Sequence, residues 1–227
     1  MARTKTIRMR KAFLFFVLCF SSLSLIHASG IQEEHLKRYN FSHITLKEGL
    51  PHHFVDDIYK DSKGFLWIST LGGGLSRYDA YDFKYYNIST YPVALSSNFI
   101  HKVCEDNFNR LWIASEGGVN ILNLSTQLLD DSFYKDRTLS ELLNKPAYMV
   151  MKDSGGNMWL SVENDVYRIT LRQDGSIDEI DAVVCDFGPS LGPLTAIREI
   201  DNEIWVGYNH HVCAVRMRDT YKMGGYR

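Results

Sequence analysis

The sequence predicts an all-β fold of four repeated, four-stranded units, and three features predict it. One phrase recurs at a near-constant period, a turn-forming residue falls at the same place in it, and short apolar runs flank each turn. The phrase is Asp61-Ser-Lys-Gly64-Phe-Leu-Trp67, then Asp106-Asn-Phe-Asn109-Arg-Leu-Trp112, Asp153-Ser-Gly-Gly156-Asn-Met-Trp159, and a shortened Asp201-Asn-Glu-Ile-Trp205. All four tryptophans of the chain lie in it, 45, 47 and 46 residues apart. A fixed period of this size marks units that cannot bury their apolar faces alone and must stack on one another.

The first element is compositionally foreign to the repeats. Arg3, Lys5, Arg8, Arg10 and Lys11 precede an apolar run from Phe13 to Ile26, followed by small Ala28, Ser29 and Gly30. That order is the layout of a secretory signal peptide. The run is 14 residues, shorter than the roughly 18 to 20 a spanning helix needs, so residues 1–29 are read as a cleaved export signal, with an uncleaved anchor as the alternative. Cys19 makes a poor lipoprotein signal because bulky Leu18 precedes it. Cleavage would remove five basic residues and no acidic one, leaving 20 Lys+Arg against 27 Asp+Glu, a formal charge of −7. Such a surface disfavours phosphate-rich partners, and no nucleic acid is expected here.

Residues 30–216 hold the repeats. In the first, Val55 to Tyr59 precede the Asp61–Gly64 turn, Leu66–Thr70 follow it, glycines 72–74 make a second turn, and Leu75–Tyr78 and Phe83–Tyr86 supply two more strands. Short β-rich runs bounded by Gly, Asn and Asp are the hairpin signal. Gly64, Asn109 and Gly156 share a turn position where positive φ is best tolerated by those residue types. Four strands per repeat is one blade of a β-propeller. A helical solenoid would need long stripes of 3.6 period, and only Leu139–Asn144 offers a single short helical turn. The tryptophan of the second strand is expected to pack between neighbouring blades, which gives Asp61, Gly64, Trp67, Asp106, Trp112, Asp153, Gly156, Trp159 and Trp205 structural roles. Cys104 reads as a small core residue, whereas Cys185 and Cys213 leave one pairing open in an oxidising compartment. Phe41–Thr45 is the natural candidate for a strand that closes the ring, and residues 217–227 form a tail without an identifiable strand.

The full pattern from Asp61 to Asp79, with Gly49-Leu-Pro51 and Leu95-Ser-Ser-Asn98 as lead-ins, resembles the two-component regulator propeller repeat. Unit three departs from it with Asn164-Asp165 in place of the glycine pair, read as a hairpin turn. Unit four drops two turn residues and carries Asn209-His-His211. The resemblance implies the periplasmic sensor portion of a hybrid two-component histidine kinase, or a truncated remnant of one, its four blades part of a larger, usually seven-bladed propeller that recognises glycan fragments. It further implies inner-membrane association in a full-length sensor, through a downstream helix or an uncleaved signal, and a homodimer formed through that sensor.

Antiparallel connectivity puts the Asp-x-x-Gly turns on one face, and the second-to-third-strand turns and blade crossings on the other. The side chains that differ between units gather on the latter: His52, His53, Asn98, Glu116, Asn164, His210 and His211. Amides, imidazoles and carboxylates suit sugar hydroxyls, which need both donors and acceptors, so an oligosaccharide or other small periplasmic ligand is the expected partner. No catalytic group, cofactor or metal site is read from the sequence. A propeller lyase similar to the streptogramin lyases is the alternative, with His210 or His101 and Glu116 nominated by type alone, and a protein-interaction platform is a third reading.

Overall fold

In the computed structural model residues 41–183, 194–209, 212–215 and 220–222 are described, and those from Ile44 onward form one compact unit. The first blade is β1 (Val55–Lys60), β2 (Leu66–Thr70), β3 (Gly74–Tyr78) and β4 (Phe83–Tyr86); the second is β5 (Ile100–Glu105), β6 (Arg110–Ser115), β7 (Gly118–Asn123) and β8 (Leu128–Leu129). A 3-10 turn at Asp131–Tyr134 and helix α1 (Arg137–Leu143) lead to the third, β9 (Ala147–Lys152), β10 (Met158–Val162), β11 (Asp165–Leu171) and β12 (Ile177–Val183). The fourth is β13 (Leu194–Ile200), β14 (Glu203–Tyr208) and β15 (Val212–Val215). Within every blade consecutive strands pair antiparallel. The architecture is that of a β-propeller, with β5 packed beside β1 and β9, and β9 beside β13.

The turn chemistry follows the repeat. Gly64, Asn109 and Gly156 have φ of +93°, +59° and +85°, as the phrase requires. The aspartate that opens each turn does more than tolerate it. Asp61 Oδ1 accepts the N–H groups of Lys63 and Phe65 at 3.0 and 2.9 Å, while its Oδ2 accepts Trp67 Nε1 at 2.8 Å. Asp106 repeats this with the N–H groups of Phe108 and Arg110 and with Trp112 Nε1 at 2.9 Å, and Asp153 keeps the Asn157 N–H and Trp159 Nε1, both at 2.8 Å. A buried carboxylate is tolerated only when its oxygens are satisfied. The six-residue spacing lets one side chain tie the turn to the strand beyond it.

Each of these tryptophans is covered by the following blade. Trp67 sits among Ile100, Val103, Leu111 and Ile113; Trp112 among Ala147, Val150 and Met158; Trp159 among Leu194, Ile197 and Val206. Helix α1 adds Leu139, Leu142 and Leu143 to the middle cluster, its N-cap Asp136 accepting Leu139 N at 2.9 Å. Phe133 meets the Trp112 ring edge-on at 5.4 Å.

Unit four differs. Ile200 pairs with Glu203, so Asp201 and Asn202 are the two turn residues, both at positive φ (+51° and +62°), the type I′ geometry of a tight hairpin. With two residues lost, Asp201 is spent on the turn, and Trp205, expected in the core, is 37% exposed. The tail, expected to lack a strand, supplies β16 (Thr220–Lys222), which pairs with β12 at the outer edge of the third blade. Among the described residues that sheet therefore has five strands and the fourth three. Phe41–Thr45 is not a strand. The hairpin turn of unit three is Glu163-Asn164, one residue earlier than read from the sequence, because Val162 pairs with Asp165 and the positive φ falls on Glu163 (+54°). Cys104 is buried and free, burial pushing its thiol pKa up; the pairing of Cys185 with Cys213 lies outside the described side chains.

Candidate functional site

Every inner strand carries an irregularity at the same place. Register shifts between Val55 and Asp57, Ile100 and Lys102, Ala147 and Met149, and Leu194 and Ala196, so one residue bulges out of each ladder: Asp56, His101, Tyr148 and Thr195. A bulge bends the strand and re-aims a side chain. The residues on either side remain in the alternation that feeds the blade cores, while the bulged residue is released from it. All four bulge residues line one cleft of about 450 Å³, with Lys102, Met149, Leu194, Glu163 and Asn164 completing its wall.

The cleft is polar and internally ordered. His101 Nδ1 lies 3.0 Å from Asp56 Oδ2, and a hydrogen bond to that carboxylate puts the proton on Nδ1. In the neutral ring Nε2 is then an acceptor; it is shielded and makes no hydrogen bond within the protein. The Tyr148 ring stands 5.0 Å from the imidazole, tilted by 50°. Lys102 Nζ is held 2.7 Å from Asp57 Oδ1, and Lys145 Nζ 3.1 Å from Glu163 Oε2, the carboxylate holding the Lys145 pKa above its ordinary value. The wall thus offers carboxylates, an amide, a hydroxyl and an aromatic face, while His101 Nε2 stays shielded behind it. Among the described residues no group of three or more His, Cys, Asp or Glu could hold a metal ion.

Of the residues nominated from sequence, Asn164 lies in this wall. His52 stacks on His53 at 4.5 Å, and its Nδ1 accepts Phe54 N at 3.3 Å. Asn98 Oδ1 accepts Ile88 N at 3.0 Å, and its carbonyl accepts Gly72 N and Gly74 N, which makes it a brace of the first blade. Glu116 is exposed on the β6–β7 turn, and His210 and His211 lie outside the described residues. Asp56, Tyr148 and Thr195 were missed. Their signal was present: they and His101 are the polar, unit-specific residues just after the first apolar residue of each inner strand.

A β-propeller with a cleft walled by its inner strands is the class this geometry defines. The family model of the two component regulator propeller matches residues 49–72 and 94–117, and these two segments, in the first and second repeats, are similar to that family's repeat. Histidine kinase P4 of Formosa agariphila is 28% identical over 69 residues, covering 29% of this chain and 5% of that protein. The extracellular domain of a protein assigned to the hybrid two component systems of B. thetaiotaomicron superposes with a TM-score of 0.52 at 16% identity, over 80% of this chain and 31% of that one. A protein assigned as a gluconolactonase gives 0.52 at 17% identity, over 75% of this chain and 62% of that one. These two share the fold. The chain spans less than a third of the length of the sensor domain it matches.

Proposed function

We propose that this chain is the ligand-recognising propeller of an exported two-component regulator, and that its cleft binds an oligosaccharide without altering it. The observation that carries this is the convergence of four bulged side chains, one per repeat, on a single polar cleft. Its volume falls within the range of small-ligand sites. A sugar ring stacks on an aromatic face and needs donors and acceptors around its rim; Tyr148 supplies the first, and Asp56, Thr195 and Asn164 the second, with His101 holding Asp56 in place. Glu116 and His53, exposed at turns on the same side of the sheets, are proposed to meet the ends of a longer saccharide. The sensor relatives support an extracellular or periplasmic setting, and among the described residues no helix is long and apolar enough to cross a membrane.

Calorimetry against a panel of glycan digests, with chromatography of each ligand before and after incubation, tests both halves of the proposal. Binding of at least one member, recovered unchanged, is expected. Turnover would move the protein to the lyase class, and the absence of binding would favour an interaction platform. Export is tested separately: expressed with its own leader in a Gram-negative host, the protein should start at Ser29 or a near neighbour. Intact Met1 on a cytoplasmic product would refute it.

A further inference from the structure

A second cavity, of about 320 Å³, shares no lining residue with the cleft. One wall is the 3-10 turn and α1, which lead from the second blade to the third; the other is the hairpin joining β11 to β12. The crossing from the first blade to the second carries no helix, so the cavity belongs to one unit and is not a by-product of the repeat. Arg110 fixes the two walls to each other: its Nη1 donates to the Gly175 carbonyl at 2.9 Å, while its guanidinium lies 4.7 Å from the centre of the Phe133 ring. The floor is apolar. Phe133 and Leu139 are buried, and Ile177 packs against the same core. The rim is polar and one-sided. Ser132 and Ser176 spend their hydroxyl protons on Asp130 Oδ1 and Asp174 Oδ1, each at 2.6 Å, which leaves lone pairs for a ligand. Asp136 Oδ1 caps α1, and among the described residues its Oδ2 has no partner. Arg172, the rim's cation, is already met by Asp178, 3.0 Å from its Nε.

We propose that this cavity binds a primary amine carrying an apolar or aromatic group. The ammonium, which has three protons to donate, meets the Asp136 carboxylate and the Ser132 hydroxyl oxygen, and the apolar part lies on Phe133, Leu139 and Ile177. The volume falls at the lower end of the range for small-ligand sites, which pair an apolar lining with a few polar groups that fix orientation. An anion is disfavoured, because it would meet the Asp136 carboxylate where the rim's cation is already balanced.

The test is calorimetry of the full chain with phenethylamine and with hydrocinnamate, which has the same ring and spacer but the opposite charge. The amine is expected to bind, and the acid to bind about tenfold more weakly or not at all. Asp136→Asn keeps an oxygen for the helix cap, where Asn and Asp serve about equally. Its circular dichroism should therefore match the wild type while its affinity for the amine falls about tenfold or more. Arg172→Gln, at an exposed position, removes a positive charge and should leave the amine bound as tightly or more so. Tyr148→Ala, in the cleft, should not change the amine affinity. The proposal is overturned if the amine does not bind, if the acid binds as tightly, or if Asp136→Asn keeps the wild-type affinity. Loss of amine binding in Arg172→Gln would place an anionic group at the guanidinium, and loss in Tyr148→Ala would place the amine in the cleft; either result also overturns it.

Discussion

Trp112→Ala is expected to destabilise the protein by about 3–5 kcal/mol, the usual cost of emptying a fully buried aromatic site. The indole is closed in by Phe133, α1 and the inner strands of the third blade, so little can collapse into the space. Its loss also removes a donor from Asp106 Oδ2, which places the effect toward the upper end. Native domains are held by only about 5–15 kcal/mol, so the variant should unfold at markedly lower urea concentration. Trp205→Ala, at a position 37% exposed, should cost under about 1 kcal/mol, as surface substitutions do. Urea denaturation followed by circular dichroism separates the two. Equal losses would mean that the tryptophans are not packed by the following blade.

Asp106→Ala should be about as damaging for a different reason. The carboxylate accepts Arg110 Nε at 2.7 Å, Trp112 Nε1 at 2.9 Å and the N–H groups of Phe108 and Arg110, while the Arg110 side chain is itself only 8% exposed. Removing one partner of a buried ion pair costs about 3–5 kcal/mol, because the other charge is left uncompensated. Arg110 keeps the Gly175 carbonyl at 2.9 Å and a longer ion pair to Asp130 Oδ2 at 3.9 Å, which soften the loss without restoring the 2.7 Å contact and place the effect toward the lower end of that range. Asp106→Asn keeps the shape and one acceptor oxygen, and is expected to lose less. If Asp106→Ala melts with the wild type, the carboxylate is not what joins turn to strand.

Much of the fold was legible because period, turn residues and strand pattern agreed. Gly64, Asn109 and Gly156 could be placed at positive φ from residue type alone, and the four strands of the first blade from short apolar runs between turns. The Asp-to-Trp spacing was also visible, but a hydrogen bond across a turn leaves no periodic trace; only the constancy of the spacing hinted that the two side chains touch. Trp205 was misread because the two-residue deletion before it changes what Asp201 must do. Packing of a tryptophan also depends on the next blade, not on its own strand. The fifth strand of the third sheet, β16, lies far along the chain from β12 and carries no local signal of that pairing. The site was half legible. Loops drew attention because side chains vary there, which found Asn164. A bulge breaks the two-residue alternation that strand reading relies on, so nothing in the pattern singled out Asp56, Tyr148 or Thr195.

The claim that one side of the blades recognises ligand while the other holds the fold together is tested most directly by measuring affinity and stability on the same two variants. For a glycan that binds the wild type, Tyr148→Ala should weaken binding about tenfold or more, the equivalent of about 1.4 kcal/mol, with its urea midpoint nearly unchanged. Asp61→Ala should lower the midpoint and leave the affinity of the folded protein intact. Unaltered affinity in Tyr148→Ala, with binding lost in a folded Asp61→Ala, would put the ligand on the aspartate-turn face and contradict the account.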